Sequence, residues 1–229
     1  MNRTLTIISA LMLLLWNAQV TASEMDNLLL ACAPDVHPQT MGAIVNHESR
    51  GNYLVIGDNG NWNLEKKDRV HRTFYPSSIN EAVSIAETLI KAGHVVDIGL
   101  GQLNNRNLKR LNLSLEESFE PCKNLWGASR VLVEFYQNAS KKYGPGQTAL
   151  YAAISAYNTG SFLNGFKNGY VEKVVTAGQH VVPSLNMGTP AQRKVSVVSA
   201  KKKLSAVKVS KTEFASAASA PGYVRGWND

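Results

Sequence analysis

This sequence predicts a mainly α (α+β) fold in which a helical body carries a small β-rich lobe. Three observations predict it. Apolar residues recur at helical spacing in stretches that open on capping residues and stop at glycine or proline. One stretch, Asn52 to Tyr75, is instead β-prone and turn-rich. The hydrophobic share of 44% is enough for a packed core in a chain of 229 residues.

The N-terminus stands apart from that core. Arg3 precedes a short apolar run from Ile7 to Trp16, and Val20-Thr21-Ala22 offers the small residues a signal peptidase reads. Residues 1–22 are expected to be a cleaved signal peptide. The run is short for a bilayer span of ~20 residues, so no stable membrane anchor is expected. The protein should act in the periplasm. Two cysteines, Cys32 and Cys122, in an oxidising compartment suggest one disulfide. Without a nearby histidine cluster they do not make a zinc site, and no residue set reads as a metal or cofactor site.

The body, 24–182, is expected to hold the folded domain. Met25 to Ala33 is a short helix ending before Pro34. Pro38 opens the next, as proline does at a first helical position, and it runs to about Ser49. In the lobe, Tyr53 to Ile56 reads as strand and Gly57-Asp58-Asn59-Gly60 as turn. Ser78-Ile79-Asn80-Glu81 is a capping box ahead of a helix over 79–92, stopped by Gly93. Ser114 to Glu117 is a second box, opening a short helix. A long helix follows from Lys123 to Tyr143, another from Gln147 to Tyr157, and a last one over 169–177.

Of the net charge of +7, +6 sits in the tail and +1 on Arg3. Residues 187–229 hold eight Lys/Arg against two acids, whereas 23–186 hold 15 of each. A nucleic-acid-binding domain would show a basic folded face, and this body has no such excess. Residues 183–229 read as a flexible basic tail ending in the aromatic-bearing Tyr223-Val224-Arg225-Gly226-Trp227. It is either a docking segment for acidic partners or a solvated linker.

Three motifs carry chemistry. On the helix from Pro38, Met41, Ile44 and Val45 define the core face, and Glu48 continues that series. A carboxyl there is desolvated, which favours its protonated form and suits it to proton donation. The alternative is a glutamate paired with His47 or Arg50 at the helix end. Gly99-Leu100-Gly101-Gln102 permits a tight turn, and the Gln102 amide can both donate and accept. Ala156-Tyr157-Asn158-Thr159-Gly160 closes an apolar helix, with Tyr157 on the core face and its hydroxyl in need of a partner.

In this order, Glu48-Ser49, Gly99 to Gln102 and Ala156 to Gly160 resemble the lysozyme-like lytic transglycosylases of the soluble-transglycosylase superfamily. Met41 to Val45 leading into Glu48, Asn80 to Val83, and Gln102-Leu103-Asn104 look like the branch from type IV secretion and conjugation systems. The resemblance covers about 28–175. It implies a lysozyme-like fold with the β-rich lobe beside an active-site cleft, and peptidoglycan glycan strands as substrate. It implies Glu48 as sole acid–base, with Ser49, Gln102, Tyr157 and Asn158 binding substrate and Tyr157 held near the glutamate. The product would be a 1,6-anhydro sugar, with no cofactor. Type IV secretion components are the expected protein partners, through the tail.

The sequence departs from the resemblance at Gly101, where many relatives carry methionine, a position that tends to pack under the sugar. Two other readings stay open. A lysozyme-type hydrolase would need a second carboxylate, for which Asp97 and Asp58 are candidates. A non-catalytic wall-binding protein would not need Glu48.

Overall fold

The computed structural model describes residues 22–178. The signal-peptide reading, apart from residue 22, and the tail reading lie outside them. Helix α1 (Ala22–Cys32) is followed by α2 (Pro38–Glu48), which has proline in its first turn and His37 as its N-cap. The His37 Nδ1 accepts a hydrogen bond from the Gln39 N–H at 3.2 Å. Helix α2 buries Thr40, Met41, Ala43, Ile44 and Val45.

The lobe is a four-stranded antiparallel sheet in the order β2-β1-β3-β4. Its strands are β1 (Ile56–Asn61), β2 (Arg72–Phe74), β3 (His94–Ile98) and β4 (Leu103–Asn104). Ile56 pairs with Phe74 on one side and with Ile98 on the other, and Asp97 pairs with Asn104. Here the structure corrects the sequence reading. The strand begins at Ile56, and Gly57 to Gly60 lie within it. Asp58 and Asn59, which favour turns when free, are buried and bonded. The Asp58 carboxylate accepts from the Gly60 N–H and from Arg72 Nε and Nη2, and lies 2.8 Å from His94 Nδ1. Pairing on both sides overrides local preference.

Helix α3 (Ile79–Lys91) lies between β2 and β3. Its capping box is shifted by one residue on the return bond. Ser78 Oγ accepts from the Glu81 N–H, while the Glu81 carboxylate accepts from the Ser77 N–H and hydroxyl. Gly93 ends the segment at φ +85°, as expected. The second box is fully reciprocal between Ser114 and Glu117. It opens only a 3₁₀ turn, Glu117–Phe119, because Pro121 starts the next helix.

After the short α4 (Leu108–Leu111), the body is built on α5 (Pro121–Tyr143) and α6 (Gln147–Thr159). Leu125, Ala128, Leu132, Phe135 and Ala139 form the buried stripe of α5 at helical spacing. Helix α6 is the central one. From Ala149 to Thr159 every residue but Tyr151 is buried. The short α7 (Asn164–Lys167) leads into α8 (Tyr170–Ala177), which packs on α2. A disulfide joins Cys32 at the end of α1 to Cys122 at the start of α5, with Cα atoms 5.2 Å apart. Among the described residues no helix is long and apolar enough to cross a membrane.

Candidate active site

Helix α2 carries Glu48 out of the core at its last turn. The helix is buried as far as Val45, whereas Glu48 is half-buried. The expectation of a core-facing carboxyl is therefore met only in part, because the apolar stripe ends where the cleft begins. Ser49 caps the helix. Its N–H and hydroxyl donate to the Val45 carbonyl, and its Oγ accepts from the Gly51 N–H at 3.2 Å. The chain then turns sharply through Arg50 (φ +53°) and Gly51 (φ +81°).

The cleft has a volume of about 800 Å³ and lies between this turn, the lobe and α8. The lobe supplies Val55, Gly57, Thr73, Tyr75 and Gln102; the helices supply His47, Glu48, Asn158, Tyr170 and Lys173. Ser49, Arg50, Asn52 and Asn168 complete the lining. Of the residues singled out in the sequence, Glu48, Ser49, Gln102 and Asn158 meet here.

Tyr157 does not. It is buried, and its hydroxyl donates to the Gly101 carbonyl at 2.7 Å. It supports the Gly99–Gln102 loop from behind and is absent from the cleft wall. The tyrosine on the glutamate is Tyr170, whose hydroxyl donates to Glu48 Oε1 at 2.6 Å. Sequence reasoning missed it, because 122 residues separate the two and only the packing of α8 on α2 joins them. The one local hint is an aromatic at the head of the apolar series Tyr170, Val171, Val174.

The loop has a second support. Asn124 is wholly buried; its Oδ1 accepts from the Gly101 N–H, and its Nδ2 donates to the Ile98 and Ser118 carbonyls. Held this way, Gln102 adopts φ +46°, a strained conformation for a residue with a side chain. Its Nε2 donates to the Gly99 and Val55 carbonyls. Its Oε1 lies 2.8 Å from where a Gly57 side chain would start, so a side chain at 57 would push the Gln102 amide aside. The departure at Gly101 also finds its cause. A Cβ there would meet Ala128 Cβ at 2.6 Å and the Tyr157 hydroxyl at 3.1 Å. In this chain position 101 faces the body and not the sugar, which corrects the sequence reading.

The two candidate second carboxylates are spent elsewhere. Asp97 is wholly buried in the sheet and accepts from Asn59 Nδ2 and Asn104 Nδ2. Asp58 is held by Arg72 and His94. Neither lines the cleft, where Glu48 is the one carboxylate among the described lining residues. His47 packs edge-on against the Tyr170 ring, with centroids 5.0 Å apart. Desolvation lowers the His47 pKa below its ordinary value; Glu48 opposes that shift and Lys173 adds to it. Asn158 is oriented by Asn168, whose Nδ2 donates to its Oδ1 at 3.0 Å. Among the described residues no group of three or more His, Cys, Asp or Glu is placed to hold a metal ion.

The arrangement offers one carboxyl group in a polar cleft. The sequence profile of the transglycosylase SLT domain matches residues 29–177, which include every lining residue of this cleft. The chain belongs to the transglycosylase SLT-domain family. It is 36% identical over 168 residues to protein virB1 of Agrobacterium fabrum, covering 73% of this chain and 64% of that one. It is 40% identical over 152 residues to the type IV secretion system protein virB1 of Brucella abortus, covering 64% and 60%. The chain thus spans just under two thirds of the length of these curated relatives. No solved structure gives a significant match. A helical body with a small antiparallel sheet is the lysozyme-like architecture that the sequence motifs implied.

Proposed function

We propose that the chain is a peptidoglycan lytic transglycosylase with Glu48 as its only acid–base residue. The observation that carries this reading is the solitary carboxylate on the cleft wall, with Tyr170 on its Oε1 and both other candidate acids bound up in the lobe. A hydrolase needs a second group to activate water. Here the nucleophile comes from the substrate. Protonated Glu48 gives its proton to the oxygen linking N-acetylmuramic acid to N-acetylglucosamine, and that bond breaks. The same carboxylate then takes the proton of the muramyl 6-hydroxyl as its oxygen closes on the anomeric carbon. The substrate acetamido group steadies the positive charge meanwhile. The product is 1,6-anhydro-N-acetylmuramic acid, and Glu48 returns protonated.

Tyr170 holds the carboxyl in place, and Gln102 and Asn158 present amides to sugar hydroxyls and acetamides. Ser49 fixes the turn that follows the glutamate and adds its polar edge to the sugar site. The named relatives point to a role in type IV secretion, where local opening of the wall lets a transenvelope apparatus assemble. Residues 1–22 would direct export to the periplasm, 24–182 would form the enzyme, and 183–229 would reach secretion-system components. Mass spectrometry of products from purified peptidoglycan tests the reaction. Wild type should yield anhydro-muropeptides and Glu48→Gln none. Loss of wall-lytic activity without any anhydro product from wild type would reject the reading.

A further inference from the structure

Charge is distributed unevenly around the cleft. The helical side carries His47, Arg50 and Lys173 beside Glu48, while Gly57, Thr73, Tyr75 and Gln102 on the lobe side carry none. Arg50 and Lys173 are exposed, and neither side chain has a hydrogen bond or ion pair among the described residues. Several other cations of the body are tied to acids, as Arg72 is to Asp58, Lys123 to Glu117 and Arg110 to Glu134, and none of these three lines the cleft.

Position makes these two more than a solvated face. Arg50 follows Glu48 by two residues, in a left-handed backbone conformation that glycine or asparagine would adopt more easily. Lys173 stands one turn beyond Tyr170 on the same face of α8, the face that touches Glu48. Its charge is near enough to act on His47. Whatever anion they bind must lie beside the bond that Glu48 would cut.

The sugar rings themselves offer no such anion, because they carry only hydroxyl and acetamido groups. Carboxylates hang from the muramyl residue alone, on the stem peptide joined through the lactyl group. We infer that Arg50 and Lys173 form a carboxylate-binding subsite for the stem peptide, so that the enzyme selects peptide-bearing strands over bare glycan. The inference rests on the transglycosylase reading for the identity of the polymer. The lobe side, uncharged and bearing the exposed Tyr75, is left for the sugar faces. The subsite also sets direction, since it requires the muramyl edge of the strand to face α8.

Binding tests this without cleavage. Full-length Glu48→Gln protein is titrated with soluble strands of three kinds: native, with stem carboxylates chemically amidated, and stripped of peptide by an amidase. Stripping leaves a lactyl carboxylate, so the third kind separates stem from lactyl group. Native strands should bind about tenfold more tightly than the other two, and the preference should shrink with added salt. Adding Arg50→Gln and Lys173→Gln should bring the three within about twofold, with the basic tail constant throughout. Tight binding of stripped strands would overturn the stem assignment in favour of the lactyl group. A preference untouched by both substitutions, or no preference, would overturn the subsite and leave the cations for an acidic protein partner. Product analysis of wild type on native strands reads the transglycosylase reaction separately, so the two ideas fail by different results.

Discussion

Exchanging each tyrosine hydroxyl for hydrogen separates the two roles that the structure assigns. In Tyr170→Phe the ring stays in a site that is 4% exposed, and only the donor to Glu48 Oε1 is lost. A hydrogen bond to a carboxylate contributes about 1.5–3 kcal/mol. If about 2 kcal/mol of that holds the carboxyl in its reactive position, kcat should fall roughly 30-fold. Unfolding free energy should change by under about 1 kcal/mol, since a half-buried carboxylate regains water. Tyr157→Phe should do the opposite. It leaves the Gly101 carbonyl without that donor inside the core, which costs about 1–2 kcal/mol of stability, while kcat falls less than about fivefold. Initial rates of muropeptide release and urea unfolding, run on both variants, give the two quantities. Wild-type kcat in Tyr170→Phe, with the large loss in Tyr157→Phe, would refute the assignment and restore Tyr157 to the catalytic centre.

Three more outcomes follow from the same contacts. Gly101→Met, which installs the residue common among relatives, should cost about 2–3 kcal/mol in urea unfolding and raise KM, because its Cβ collides with Ala128 and displaces Gln102. Unchanged stability would show that position 101 does not face the body. Cys32→Ala with Cys122→Ala opens a loop spanning 90 positions and should cost about 4 kcal/mol, read by urea unfolding without reductant. A loss under about 1 kcal/mol would show that the bridge does not constrain the unfolded chain. His47 has a folded pKa below its unfolded value, so the unfolded state takes up a proton that the folded state resists. Wild type should therefore lose stability as pH falls through the ordinary histidine range, and His47→Gln should lose less over that interval. Parallel pH–stability curves for the two would contradict the burial argument.

The helices were legible because their signals are local. Pro38, the Ser78 and Ser114 boxes, and Gly93 each act within one turn, and the structure ends or starts elements at or beside them. The lobe was half legible. A strand built on Gly57-Asp58-Asn59-Gly60 forms because β2 and β3 flank it, because Arg72 pairs with the Asp58 carboxylate, and because His94 Nδ1 lies 2.8 Å from it. None of those partners is adjacent in sequence. Strand β3 was missed for a related reason, since His94–Ile98 follows its helix directly and shows no clean alternation. Spacing and residue chemistry singled out Glu48 and Gln102, and both line the cleft. The tyrosine was misplaced because a buried tyrosine on a helix looks the same whether its hydroxyl meets a carbonyl or a carboxylate. Arg50 entered only as a pairing alternative for Glu48, and Lys173 gave no signal, for one cation among 24 stands out only when its place on the cleft wall is seen in space.

The central claim is that Glu48 works alone and the sugar attacks itself. Digestion of purified peptidoglycan in water labelled with heavy oxygen tests it most directly. The account predicts anhydro ends that carry no label, because no water enters the bond. Reducing ends carrying the label at the muramyl anomeric carbon would contradict it and require a second group to activate water.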